Sequence, residues 1–348
     1  MKLNKRQNII LDYINKHTSS SRLEIEKYVA SVDDKSSKNT IIRDLEVLMK
    51  NNYIQKTGSA RSIKYLPANS NELLIKYDIE NYFKGNFDDR KIKYSQFNFD
   101  IYNNLKNLFS ANEIKKLEDT NKIYTNKINA LSDTILKKEY ERLLIELSWK
   151  SSQIEGNTYS LLDTEALIKE NIEAKGHKTE VATMILNHKR ALEFIFKNKD
   201  YFKTITLKKL EELHALLTKD LGVDKGLRKS PVGIVGTNYK PLSNQLQIKD
   251  AIKKMITTIN KTKNVVEKAL SAVIMISYIQ PFEDGNKRTG RILANAILFA
   301  HGYCPLSYRS VNESDYKKAV ILFYENNSID YFKELFVEQF RFAIEKYF

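Results

Sequence analysis

The sequence predicts a mainly α-helical protein with a small mixed domain at its N-terminus, and three observations predict it. Its 348 residues include only 11 Gly and 5 Pro, against 42% hydrophobic and 29% charged residues, the balance of a folded, helix-leaning chain. From residue 135 onward, apolar residues recur at intervals of three and four over long stretches. The first 67 residues instead run from three short helical patterns into an alternating stretch around Gly58. The same composition sets exclusions. At ~100–200 residues per domain the length predicts about two domains. A single cysteine, Cys304, excludes an intramolecular disulfide and a Cys-cluster zinc site. The longest apolar runs, 273–276 and 297–300 among them, fall far short of the ~20 residues that cross a bilayer. Asp12 and Lys16 interrupt the stretch behind Lys2, Lys5 and Arg6 where a secretory leader would be apolar. No membrane association is expected, and a cytoplasmic location is.

The net charge of +14 invites a polyanionic partner, although a chain rich in Lys, Asn and Ile throughout is basic in any case. Distribution decides: residues 1–67 hold 13 Lys and Arg against 7 Asp and Glu, a local concentration. Residues 4–16 read as a helix with Ile9, Ile10, Tyr13 and Ile14 on one face. Ser21 caps a second helix, 22–30, that turns Ile25, Tyr28 and Val29 inward, and a polar turn, 31–36, follows. A third helix, 37–51, carries Ile41, Ile42, Leu45, Leu48 and Met49 as its core stripe. Lys38, Asn39, Thr40 and Arg43 are left on or near its outer face. Residues 53–66 alternate like two strands around Gly58. Three helices and a hairpin make a winged helix. The run Ser37-Lys-Asn-Thr-Ile-Ile-Arg-Asp-Leu-Glu-Val-Leu and the following wing resemble the winged helix-turn-helix of DeoR-like regulators over about 65 residues. That resemblance implies duplex DNA as partner of residues 1–67, with Lys38, Asn39, Thr40 and Arg43 at the groove. A winged helix used only for protein contact stays open.

A polar, Pro-containing stretch from Pro67 marks a linker. Residues 68–135 are expected to form this linker and an accessory helical region, with aromatic pieces at 82–83 and 97–102 and helical patterns at 104–109 and 111–123. They show no nameable chemistry. Residues 136–348 then form a helical domain, with helices expected at 135–150, 162–172, 180–197, 207–217, 248–259, 265–278, 290–300 and 331–347.

The most informative segment is Gln280-Pro-Phe-Glu-Asp-Gly-Asn-Lys-Arg-Thr-Gly-Arg291, between two of these helices. Read physically it is a phosphate cradle. Gly285 lets the backbone approach an anion, and the free N–H groups of the next helix point at it. Arg288 and Arg291, three apart, share a helix face and can clamp phosphate oxygens. Asp284 is a hard oxygen ligand suited to the Mg²⁺ that accompanies a nucleoside triphosphate. Phe282 anchors the loop.

This segment resembles the signature of the Fic family, His-Pro-Phe-x-Asp/Glu-Gly-Asn-Gly/Lys-Arg-x-x-Arg. Ser151-Ser-Gln-Ile-Glu155-Gly156-Asn resembles the family's inhibitory helix pattern, placing such a helix around 145–157. Val232-Gly-Ile-Val235-Gly236-Thr237-Asn238-Tyr239-Lys-Pro resembles its target-binding flap, a β-hairpin. The stretches Leu213-His-Ala-Leu and Asn187-His-Lys-Arg are similar to its structural helices. The resemblance implies an all-helical Fic domain that transfers AMP from ATP to a Ser, Thr or Tyr hydroxyl of a target protein. It assigns Gly285, Asn286, Lys287, Arg288 and Arg291 to the nucleotide, Asp284 to Mg²⁺, and Ser151, Glu155 and Gly156 to inhibition through Arg291.

One departure bears on the chemistry. The family's general-base histidine is Gln280 here, and a neutral amide cannot take up the hydroxyl proton. Glu283, Asp284 or Glu155 could substitute by proximity. His188 and His214 read as structural, and His17, His177 and His301 as remote from the reacting groups. Lys287 stands where many members have Gly, either as an added phosphate contact or as in the Doc-like branch, which transfers a phosphoryl group. Two readings remain: an AMP-transferase tethered to DNA, or a catalytically silent nucleotide-binding transcriptional regulator. A homodimer stays open.

Overall fold

The computed structural model describes residues 3–17, 19–32, 36–59, 62–68 and 71–348. The N-terminal part runs α1 (Lys5–His17), β1 (Ser20–Ser21), α2 (Arg22–Val32), α3 (Lys38–Lys50), β2 (Ile54–Thr57) and β3 (Lys64–Pro67). Ile10, Ile14, Ile25, Val29, Leu45 and Leu48 form one small core where the three helices meet. β3 is the middle strand, antiparallel to β1 (Ser20 opposite Tyr65) and to β2 (Gln55 opposite Leu66). Gly58, at φ +84, lets the chain turn between β2 and β3, since a Cβ there would stand 2.5 Å from the Ser62 carbonyl oxygen. Residues 60–61 of the expected wing and 33–35 of the expected turn lie outside the described residues. Ser37 caps α3 by accepting from the Thr40 N–H, and Ser21 and Glu24 bond reciprocally at the start of α2. Asp44 faces inward from α3 and accepts from Arg6 Nε (2.5 Å) and Gln7 Nε2 (3.0 Å), tying α1 to α3.

The next stretch holds α4 (Ile79–Tyr82), α5 (Ile101–Asn104) and α6 (Ala111–Ala130). The expected helix at 104–109 is absent. Asn107 adopts φ +55, and the N–H groups of 107–109 turn to the Glu267 carboxylate instead of to a helical acceptor. Asp78 joins the two parts of the molecule: one carboxylate oxygen caps α4 through Asn81 N, and the other accepts from Leu3 N and Asn8 Nδ2.

The helical domain comprises α7 (Asp133–Ile154), α8 (Leu161–Glu170), α9 (Thr179–Lys197), α10 (Leu207–Leu217), α11 (Gln245–Lys261), α12 (Val265–Ile279), α13 (Asn286–Ala300), α14 (Glu313–Asn326) and α15 (Asp330–Tyr347). α12 is largely apolar and sits at the centre, with every residue from Val266 to Ile279 except Lys268 buried and α13, α11 and α14 packed around it. α13 is nearly as buried and also meets α7, α9 and α10. The α12–α13 turn, where the signature lies, is thereby set in a rigid frame.

The segment expected as a β-hairpin flap, 232–241, differs. It turns at Val235–Gly236, with Gly236 at φ +80, but its two arms form no strand ladder with each other. Its polar groups are bound elsewhere: Lys240 N donates to Ser95 O (2.9 Å), and Gln96 and Lys240 form an isolated parallel bridge.

Candidate functional site

α12 ends at Gln280, whose backbone is left-handed (φ +50, ψ 60) while its N–H still reaches Ile276 O. Arg228 fixes this corner by donating from Nε to Gln280 O (2.6 Å), from Nη1 to Ser230 O and from Nη2 to Leu242 O. The Gln280 amide donates to Ser277 O (2.7 Å), with Tyr324 Oη 3.4 Å away. Beyond Pro281 the loop is clamped from within. Asn286 accepts from Phe282 N (2.9 Å) and donates to Phe282 O (2.8 Å). His214 stacks on the Phe282 ring at 3.7 Å, and its Nε2 donates to Asp284 O (3.0 Å). Gly285, at φ +76, passes so close to Thr218 Cγ2 that a Cβ would lie 3.1 Å from it. α13 then starts at Asn286, with first-turn N–H groups that have no intrahelical acceptor.

Two guanidinium groups lie beneath this corner. The Arg288 side chain is 3% exposed and donates from Nη2 to Asp284 Oδ2 (2.9 Å), while its Nη1 is buried with no hydrogen-bond partner. Arg291 is fully buried: Nε donates to Ser151 Oγ (2.9 Å), and Nη2 to Ser151 O and Glu155 Oε1 (2.8 Å each). Lys287 Nζ stands 3.8 Å from the other Glu155 oxygen. Burial pushes the Glu155 carboxyl up, but Arg291 first and Lys287 second outweigh it, so the group is held below the ordinary value of 4.5 and stays ionised.

Ser151 is oriented by His188. Burial lowers the His188 pKa to about 3, so the ring is neutral. Its Nδ1–H donates to Met184 O (2.9 Å), which leaves Nε2 to accept the Ser151 hydroxyl (2.9 Å). The Ser151 lone pair then faces Arg291 Nε. His214 is likewise neutral, its pKa lowered to about 4 chiefly by burial.

The cleft above these groups has a volume of about 390 Å³. Its lining is part polar, with Glu155, Gln280 and Lys287, and part apolar, with Ile234, Tyr316 and Ile321. Asp284, Gly285, Asn286 and Val235 also border it; of the expected nucleotide residues Gly285, Asn286 and Lys287 line the cleft, while Arg288 and Arg291 are buried and do not line it. Asn286 does so as a loop clamp, with both ends of its amide on Phe282. Gly156 (φ +95) turns the chain directly after Glu155. Of the expected flap residues, Gly236 and Thr237 point away to Arg90 and Glu325, and Asn238 donates to Phe87 O. Tyr239 is buried in a stack with Tyr278 (4.8 Å) and Tyr324 (5.4 Å). On α3, Lys38, Asn39 and Arg43 are exposed, whereas Thr40 is half-buried with its hydroxyl 2.8 Å from Ser37 Oγ at the helix cap.

Sequence reasoning missed α14, which brings Tyr316, Ile321 and Tyr324 to the cleft. Tyr316, Val320 and Tyr324 at four-residue spacing were the available signal. It also missed Arg228, whose role depends on carbonyls that no local pattern reveals. The carboxylate of Asp284 is 70% exposed at the cleft mouth. Among the described residues no three His, Cys, Asp or Glu side chains gather as a metal cage.

Residues 204–298 match the Fic/DOC family. Relatives include the protein adenylyltransferase Fic of Aedes aegypti, 29% identical over 190 residues, which cover 52% of this chain and 37% of that protein. A probable protein adenylyltransferase of Aquifex aeolicus is 35% identical over 96 residues, covering 27% and 30%. The chain thus spans well under half the length of these relatives. Among solved structures, Fic-1 of C. elegans superimposes with a TM-score of 0.58 at 20% identity, covering 67% of this chain and 70% of that one. A Fic-domain signalling protein of Bacteroides thetaiotaomicron gives 0.54 at 20% identity, covering 67% and 95%. Over this region the chain has the Fic fold, and the relatives it matches are named protein adenylyltransferases.

Proposed function

We propose that the cleft binds ATP and that the chain is a Fic-type protein AMP-transferase, held in a latched state by Glu155 and tethered to duplex DNA through residues 1–67. The observation that carries the nucleotide reading is the pair of buried guanidinium groups at the α13 N-terminus. Arg288 and Arg291 each keep a buried Nη1 with no hydrogen-bond partner, and Arg291 Nη2 takes the Glu155 carboxylate from just past the end of α7. Glu155 stands where an anionic ligand would stand. A triphosphate arriving at Arg291 displaces it, and the apolar part of the cleft lining offers a place for a base. Asp284 would hold Mg²⁺ together with the phosphates, and the ion would offset their charge.

AMP transfer forms a bond from a target hydroxyl oxygen to the α-phosphorus and breaks the bond to pyrophosphate. The hydroxyl proton must leave. At the head of the signature Gln280 cannot accept it, and its amide is turned to Ser277 O. A lost general base costs ~10²–10⁴-fold. His188 and His214 are neutral but each is engaged in a structural bond. This specific substitution favours the second reading, a catalytically silent nucleotide-binding transcriptional regulator. The DNA part of the proposal is supported by three helices on a three-stranded sheet, as in a winged helix, and by the exposed Lys38, Asn39 and Arg43 on α3.

The test is transfer of label from α-phosphate-labelled ATP with Mg²⁺ into cell extract. The native chain, Glu155→Gly, and Glu155→Gly with Gln280→His are compared. Label from Glu155→Gly alone establishes an enzyme with a substitute base. Label only after histidine is restored establishes the silent regulator. No ATP binding by any of the three removes the nucleotide reading.

A further inference from the structure

The segment 232–241 borders the cleft without a strand ladder of its own, so something else must hold it. The structure places a buried charge there. Glu325, the residue after Tyr324 on α14, is fully buried. Its Oε1 accepts from Arg90 Nη2 (2.8 Å) and Thr237 Oγ1 (2.7 Å), and its Oε2 from Arg90 Nε (3.0 Å) and Tyr82 Oη (2.7 Å). The carboxylate is saturated. Arg90, itself largely buried, also donates to Gly236 O at the tip of the turn. The Glu325 carbonyl accepts from Lys93 N (2.9 Å) and Tyr94 N (2.8 Å), and Ser95 O accepts from Lys240 N.

We infer that Glu325 and Arg90 form a brace that sets the position of the turn 233–237 at the mouth of the cleft, so that residues 82–96 are a working part of target recognition. A buried ion pair is retained only when its geometry is tight and every lone pair is satisfied, and this one meets both conditions. The brace joins three pieces of chain far apart in sequence. It holds the carbonyl of Gly236 and the hydroxyl of Thr237 from behind, while Ile234 faces the cleft and Val235, 97% exposed, stands at its mouth. Glu325 shares a helical turn with Tyr324, which reaches Gln280, so α14 carries the brace and one wall of the cleft together. Glu325 and Arg90 touch neither the cleft nor a reacting atom and are positioning residues. The inference rests on the proposed reading only where a target protein is invoked.

The experiment is hydrogen–deuterium exchange on the full chain, comparing Glu325→Gln, Arg90→Ala, Arg90→Lys and Thr237→Val with the native protein. Glu325→Gln and Arg90→Ala are expected to speed exchange in peptides covering 232–241 and 90–96 by about tenfold or more, with α12 and α13 unchanged. Thr237→Val, which removes one bond and no charge, should loosen 232–241 alone, and Arg90→Lys should recover part of the protection that alanine removes. Unchanged exchange at 232–241 in folded Glu325→Gln or Thr237→Val overturns the brace. So does a loss of protection spread evenly over α12 and α13 in Thr237→Val. If Glu325→Gln does not fold, Thr237→Val decides. In the Glu155→Gly, Gln280→His background, Thr237→Val should lower the transfer of label from α-phosphate-labelled ATP into cell extract. Absence of any transfer in that background counts against the AMP-transferase reading, and the exchange result still decides the brace.

Discussion

Replacing Glu155 with glycine should tighten ATP binding, and the structure bounds by how much. ATP must break the 2.8 Å bond from Arg291 Nη2 to Glu155 before a phosphate can take its place. Hydrogen bonds to charged groups contribute about 1.5–3 kcal/mol. The Glu155 side chain is 20% exposed, so solvent screens part of this, and the Lys287 contact at 3.8 Å between partly exposed groups adds little. A gain near the lower end, about 1.5–2 kcal/mol, corresponds to about 10–30-fold in Kd at 1.4 kcal/mol per decade. Calorimetric titration with Mg-ATP reads it directly. AMP serves as the control, because it has no terminal phosphate to reach Arg291 and should change by less than about twofold. The single tryptophan, Trp149, lies on the same helix and donates to Tyr159 O just past the Glu155 turn, so its fluorescence offers a second reading. Equal tightening for ATP and AMP, or none for ATP, would refute the reasoning that Glu155 competes with a phosphate for Arg291.

Arg288→Ala should weaken ATP binding by about 100-fold or more, the scale of removing a buried charge-assisted hydrogen bond, with the circular dichroism spectrum retained. An unchanged Kd would remove Arg288 from the cradle. Asp330, at the start of α15, has its pKa raised from 3.8 to about 6, mainly by burial, against Lys76 and with Glu334 adding to the rise. The folded state therefore binds this proton more tightly than the unfolded state, and stability falls as pH rises from about 4 to about 7. Asp330→Asn should stabilise the protein by about 1–2 kcal/mol at pH 8 and leave it unchanged at pH 4, as urea denaturation at both values would show. Duplex affinity should fall steeply with salt, and in Lys38→Ala and Arg43→Ala the log–log slope should shrink by about 0.9 for each phosphate no longer neutralised. A flat salt response in a filter-binding or anisotropy assay would instead assign the N-terminal domain to protein contact.

The cradle was legible because its chemistry is local. Arg288 and Arg291 fall on one face of a helix by spacing alone, and Gly285 announces a close approach that Thr218 makes real. Glu155 was legible through its resemblance, and its partner lies 136 residues away. Local rules failed where a distant group decides. Leu105, Leu108 and Phe109 have helical spacing, yet Asn107 turns left-handed because Glu267, 159 residues on from Leu108, takes the backbone N–H groups. The resemblance of 232–241 to the family's flap implies a hairpin, but the hydrogen bonds that hold the segment come from residues 90–96 and from Glu325. α14 was hidden by its buried tyrosines, which carry polar atoms yet fill a core face, and by Glu325, a charged residue that is itself buried.

The left-handed corner at residue 280 has an implication in terms of heredity. Its backbone is held at two points, the N–H to Ile276 O and the carbonyl that Arg228 grips, and the glutamine amide adds only a bond to Ser277 O within the same helical turn. Such conformations disfavour β-branched side chains but are readily adopted by histidine. An imidazole could thus enter without the main chain being rebuilt. Glutamine and histidine codons share their first two bases, so one third-position nucleotide change separates a cradle without a proton acceptor from one that has it.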